Sequence, residues 1–184
     1  MFKALCQSLC LALPLTAGAQ AASVVFLNPG LSNETFWTSY TRFMQAAADE
    51  LGMDLRVEYS ERRADVVMKQ ARAALDGPQR PDYLVLVNEQ YVAPEIMRLS
   101  QGSGVKLLLV NNGLTAGQAR RVAAQPANYA MPPGTPTTND EHAGFQMLPD
   151  TVAQLPTGSG PVALLSFSGA TSPPPSHPRA AGLR

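Results

Sequence analysis

Three features of the 184-residue sequence predict an α/β fold, a doubly wound parallel sheet. Strand-length apolar runs alternate with segments whose apolar residues recur every three or four positions, the helical period. Most of these runs are apolar throughout, as expected when helices cover both faces of a parallel sheet. Turn-forming clusters separate them, at Asn28-Pro29-Gly30, Gly52 and Gly77-Pro78. The implied order β-α-β-α-β-α-β needs crossover connections, which are right-handed in nearly all such sheets.

Ser23 to Leu27 (SVVFL) is a β-branched and aromatic run ending on the first turn cluster. Phe36, Tyr40, Phe43, Met44, Ala47 and Leu51 mark one face of a helix, and Gly52 follows as its C-cap. Asp54 to Tyr59 (DLRVEY) alternates like a half-buried strand. A second helix covers Ala64 to Leu75 and stops at Gly77-Pro78. Tyr83 to Val87 (YLVLV) is the third strand, Pro94 to Leu99 sits in a third helix, and Val105 to Val110 (VKLLLV) is the fourth strand. From Leu114 to Pro136 the pattern weakens under Gly, Pro and Asn, and no element is predicted. Asp140 to Ala153 is expected to form another helix, with Asn139 or Asp140 as its cap. Pro161 to Phe167 (PVALLSF) reads as one more buried strand. Either that strand joins the existing sheet as a last element, or the chain is a fragment.

Residues 1–21 stand outside this fold. Lys3 supplies a short basic start, Ala4 to Leu15 an apolar stretch, and Ala19-Gln20-Ala21 an Ala-x-Ala site, the pattern of a secretory signal peptide. Cleavage is expected between Ala21 and Ala22. The stretch is too short for a membrane span of about 20 apolar residues. Cys6 and Cys10 both fall inside it, so the exported chain has no cysteine for a disulfide, a thiolate metal site or a nucleophile. A soluble periplasmic protein is the expectation. Formal net charge is zero, which gives no reason to expect nucleic acid or an anionic membrane as partner.

In an open parallel sheet a ligand lies beyond the carboxyl ends of the strands. That rule selects Asn28 with the loop to Asn33-Glu34-Thr35-Phe36-Trp37, then Asn88-Glu89-Gln90, then Asn111-Asn112-Gly113, and finally Ser166 to Gly169. Amide and carboxylate side chains there donate and accept hydrogen bonds as sugar hydroxyls require. Phe36 and Trp37 provide flat apolar surfaces for the C–H face of a sugar ring. Neighbouring helix positions point about 100° apart, so one of the two faces the core and the other the crevice. An Asn after a strand also serves simply as a turn former.

Catalytic patterns do not emerge. His142 and His177 are the two histidines, and neither has metal-ligand spacing to another His, Asp or Glu. Asp140-Glu141 beside His142 fits helix capping. No phosphate-binding glycine loop and no G-x-S-x-G elbow is present. No cofactor and no metal are expected, and the protein reads as a non-enzyme.

These residues together resemble the type I periplasmic binding proteins, in the sugar-binding branch that includes ribose-binding protein and the autoinducer-2 receptor. The likeness is carried by Asn33-Glu34-Thr35-Phe36-Trp37, similar to the family's Asn-x-Pro-aromatic-aromatic, and by YLVLVNE and VKLLLVNN. It continues through Thr138-Asn139-Asp140-Glu141-His142-Ala143-Gly144, then Gly169 to Thr171 and Arg179 to Gly182. The resemblance implies two α/β lobes hinged around a ligand. It divides the chain into a signal peptide (1–21), an N-terminal lobe (22–135), a crossover helix and linker (136–160) and the beginning of a second, incomplete lobe (161–184). It implies stacking by Phe36 and Trp37 and polar contacts from Asn33, Asn88, Glu89, Asn111 and Asp140, with Arg179 reaching in from the second lobe. His177 and Asn111-Asn112 depart from the ribose-binding pattern and count against ribose itself.

The expected function is capture of a small sugar or polyol for an ABC transporter permease, by a monomer. The alternative is a ligand receptor feeding a two-component sensor kinase or chemoreceptor, which shares fold and pocket. A transcriptional repressor lacks support because no helix-turn-helix is present, and an exported enzyme because no catalytic set is.

Overall fold

The computed structural model describes residues 21–137 and 140–155. Residues 1–20, where a signal peptide is expected, Thr138 and Asn139, the strand expected at Pro161 to Phe167, and the segment with His177 and Arg179 lie outside the described residues. Four strands, β1 (Ser23–Asn28), β2 (Asp54–Tyr59), β3 (Tyr83–Leu86) and β4 (Lys106–Leu109), form one parallel sheet in the order β2-β1-β3-β4. Five helices are described: α1 (Thr35–Leu51), α2 (Ala64–Asp76), α3 (Ala93–Leu99), α4 (Ala116–Ala124) and α5 (Asp140–Ala153). The predicted α/β class, the first four predicted strands and the first three helices are present, as is the helix expected from Asp140 to Ala153.

Register aligns the strand ends. Leu27 sits beside Glu58 on one side and Leu86 on the other, and Leu86 beside Leu109. The chain therefore leaves all four strands at one edge. The winding reverses between β1 and β3, since β2 lies outward of β1 on one side and the later strands on the other.

Side chains alternate between two apolar layers. Val25, Leu27, Leu84, Leu86, Leu107 and Leu109 pack with Val67, Ala71, Leu75, Ile96, Met97 and Val122 from α2, α3 and α4. Val24, Phe26, Val85, Val87 and Val110 pack on the other face with Trp37 of α1. This double coverage explains why the interiors of β1 and β3 read as apolar runs, while edge strand β2 alternates. Phe26, Leu84 and Leu86 are fully buried, each stabilising the fold by roughly 1.5–3 kcal/mol.

One element is added to the sequence reading. Helix α4 carries one buried apolar residue, Val122, so its periodicity is too short to register. It is fixed instead by a capping box: the Thr115 hydroxyl accepts from the Gln118 backbone N–H at 3.3 Å, and Gln118 Oε1 accepts from the Thr115 N–H at 3.0 Å.

Candidate ligand-binding site

The carboxyl edge of the sheet gathers the β1–α1 loop (residues 29–34), the β2–α2 loop (60–63), the 3₁₀ turn Asn88–Gln90 and Asn111. Backbone bonds tie the first two loops together, because the Glu61 and Arg62 N–H groups donate to the carbonyls of Gly30 (3.1 Å) and Pro29 (2.9 Å). To aim those donors, Glu61 and Arg62 adopt left-handed backbone, at φ 51° and 57°. Such conformations in non-glycine residues cost about 1–2 kcal/mol each and persist where neighbours fix them.

Phe36 and Trp37 divide as their helix positions require. Trp37 is 3% exposed and packs in the core beneath the β1–α1 loop. A Cβ on Gly30 would lie 1.9 Å from the Trp37 indole, so glycine is what allows the loop to close over the ring. Trp37 is therefore corrected from stacking platform to core residue. Phe36 is 55% exposed and stands edge-on against Trp37, centroids 4.9 Å apart at 87°. Held that way, its ring stays exposed at the start of α1, on the carboxyl side of the sheet.

Asn88 is a second correction. It is fully buried, and its amide is consumed inside the protein. Nδ2 donates to the Gly113 carbonyl (2.9 Å) and to Gln118 Oε1 (2.7 Å), while Oδ1 accepts from the Ala93 N–H (3.1 Å). Asn88 thus anchors α3 and α4 to the end of β3 and has no donor left for a ligand. Asn28 is spent likewise, on Trp37, Thr41 and Gly30.

The accessible polar groups are others. Asn33 is exposed in the β1–α1 loop. Asn111 stands in left-handed backbone at φ 61°, pinned by its N–H to the Pro136 carbonyl (3.1 Å), and its side chain bonds no other described residue. Glu89 keeps 11% side-chain exposure and pairs with Arg62 Nη1 at 2.9 Å. Arg62 Nη2 meets Glu34 Oε1 at 2.5 Å. Burial pushes the Glu89 carboxyl above the usual carboxylate range; Arg62 opposes that shift and Glu34 adds to it. Asp140 opens α5. Arg179 lies outside the described residues.

Arg62 and the half-exposed Tyr91 (φ 59°) are the residues that sequence reasoning passed over, and Glu34 was selected only as part of its loop. The edge rule would have found Arg62 had it been applied to β2, whose carboxyl end is Ser60-Glu61-Arg62. The arrangement joins one exposed aromatic ring to carboxylate and amide acceptors, which suits a polar ring with an apolar face.

The chain superposes on a periplasmic sugar-binding protein from Pseudomonas fluorescens with a TM-score of 0.70 and 48% identity, over 88% of this chain and 46% of that one. This chain belongs to the type I periplasmic binding proteins. A galactofuranose-binding protein shares the fold at a TM-score of 0.63 and 14% identity, over 88% of this chain and 50% of the other. The chain thus spans about half the length of each. No protein-family model and no curated protein matches it. Both neighbours are binding proteins.

Proposed function

We propose that this chain belongs to a periplasmic solute-binding protein that captures a small sugar or polyol and hands it to an ABC importer. The observation that carries the reading is the 48% identity to a periplasmic sugar-binding protein. The site's chemistry supports it, with Phe36 as the ring platform and Glu89, Asn33 and Asn111 as groups for hydroxyls. In this reading residues 22–135 are the first of two lobes and residues 136–160 lead to the second. The signal peptide at residues 1–21 takes the protein to the periplasm. Closure of two lobes over the ligand would exclude water and strengthen each polar contact.

Isothermal titration calorimetry with D-galactose, D-glucose, D-ribose and glycerol tests this. Saturable binding of at least one neutral sugar by the full chain is expected. Silence across the whole panel, in a protein with native circular dichroism, would refute it.

A further inference from the structure

We propose that Arg62 is the positioning residue of this site: it holds the Glu89 carboxylate ionised and aimed so that it accepts hydrogen bonds from ligand hydroxyls. The proposal rests on the sugar-binding reading above and extends it to the chemistry of selection.

The geometry places a single guanidinium between two carboxylates from two different loops. Nη1 meets Glu89 Oε1 at 2.9 Å and Nη2 meets Glu34 Oε1 at 2.5 Å. The planar fork of Arg can hold two acceptors in fixed directions, which the ammonium of Lys cannot. Arg62 occupies only one oxygen of Glu89. Glu89 Oε2 accepts no hydrogen bond from a described residue, so it is the lone acceptor that the carboxylate offers outward. Arg62 itself is not free to wander. Its left-handed backbone donates to the Pro29 carbonyl, and its neighbour Glu61 accepts from the Ser32 N–H at 3.0 Å, so the β2–α2 loop is clamped to the β1–α1 loop.

The electrostatics require such a residue. Glu89 is mostly buried, a setting that favours the neutral acid, and a protonated carboxyl accepts hydrogen bonds poorly. The charged groups facing Glu89 are Arg62, from the β2–α2 loop, and Glu34, from the end of the β1–α1 loop. Glu34 works against ionisation, so among the described residues Arg62 alone sustains it. Two carboxylates against one guanidinium leave the triad with one net negative charge. The ligand class that fits is a neutral sugar or polyol with adjacent hydroxyls; sugar acids and sugar phosphates are repelled.

The test uses the full chain and its Arg62→Gln and Arg62→Lys variants, each checked for native thermal unfolding. Carbon-13 NMR of labelled glutamate reads the Glu89 titration without any ligand. Calorimetry with D-galactose, D-glucose and D-ribose, and with D-galacturonate and D-gluconate, reads binding as a function of pH. In Arg62→Gln the Glu89 midpoint should rise by about one pH unit, and neutral-sugar affinity should be lost at a correspondingly higher pH. Arg62→Lys should restore the midpoint while regaining only part of the affinity. The acidic sugars should bind the wild type at least tenfold more weakly than their neutral parents. An unmoved Glu89 midpoint, or superimposable affinity–pH profiles, overturns the role of Arg62 with the sugar reading intact. A wild-type protein that binds none of the neutral sugars overturns both together.

Discussion

Phe36 and Trp37 are adjacent in sequence and do opposite work, because the helix turns one toward the sheet and the other toward water. Phe36→Ala should leave the unfolding midpoint nearly unchanged and weaken sugar binding by about 1–3 kcal/mol, as calorimetry would show. Trp37→Ala should destabilise the fold by about 3–5 kcal/mol in urea titration, since it empties a core site covered by Gly30. Glu89 has its own signature. Burial outweighs the pull of Arg62, so its folded-state pKa lies above the unfolded value, and ionising it costs folding stability as pH rises through that pKa. Glu89→Gln should therefore stabilise the protein at neutral pH relative to acid pH while weakening sugar binding. A thermal midpoint that falls at neutral pH would contradict this. The sequence singled out the aromatic pair, but the choice between its members depends on helix phase against the sheet. Asn88 misled for a related reason: at a strand end an amide serves a ligand or a neighbouring helix with equal chemistry, and only the presence of Gln118 across the loop decides.

Helices and strands owe their legibility to burial on two faces, and where burial is slight the pattern fades. Strands β1 and β3 are covered by α1 on one side and by α2, α3 and α4 on the other, so their sequences carry no polar interruption inside, while β4 opens with the exposed Lys106. Helix α4 buries little beyond Val122 and Gln118, and its evidence in the sequence is the Thr115–Gln118 spacing rather than hydrophobic period. Gln118 is worth more than a cap. Its Oε1 accepts from Asn88 Nδ2 at 2.7 Å, and its Nε2 donates to the Tyr91 carbonyl at 2.8 Å. Removing it strands buried polar groups as well as loosening the helix start. Gln118→Ala should cost roughly 1–3 kcal/mol, read as a lower urea midpoint, and Gln118→Glu should not rescue it because the amide donor is gone.

At the scale of the whole molecule, two hollows and the carboxyl edge compete for a ligand, and chemistry separates them. A groove of about 340 Å³ beside α1 is lined by Met44, Leu51, Leu55, Tyr83 and Leu108 and offers hydroxyls almost nothing to bond. A cavity of about 450 Å³ at the amino edge is polar, lined by Ser23, Asp54, Arg56, Gln79 and Arg80, and brings no aromatic face. Among the described residues, the carboxyl edge combines an exposed ring, Phe36, with acceptors drawn from several loops. Parallel pairing sends every strand toward that edge, which is why the candidate positions could be chosen from strand ends before any coordinate was known. The account therefore stands on location. An amide NMR titration of the full chain with the tightest-binding neutral sugar measures it most directly. Shifts should cluster at residues 29–36, 60–63, 88–91 and 111. Shifts confined to residues 23–25, 54–56 and 78–82, at the amino edge, would contradict the account.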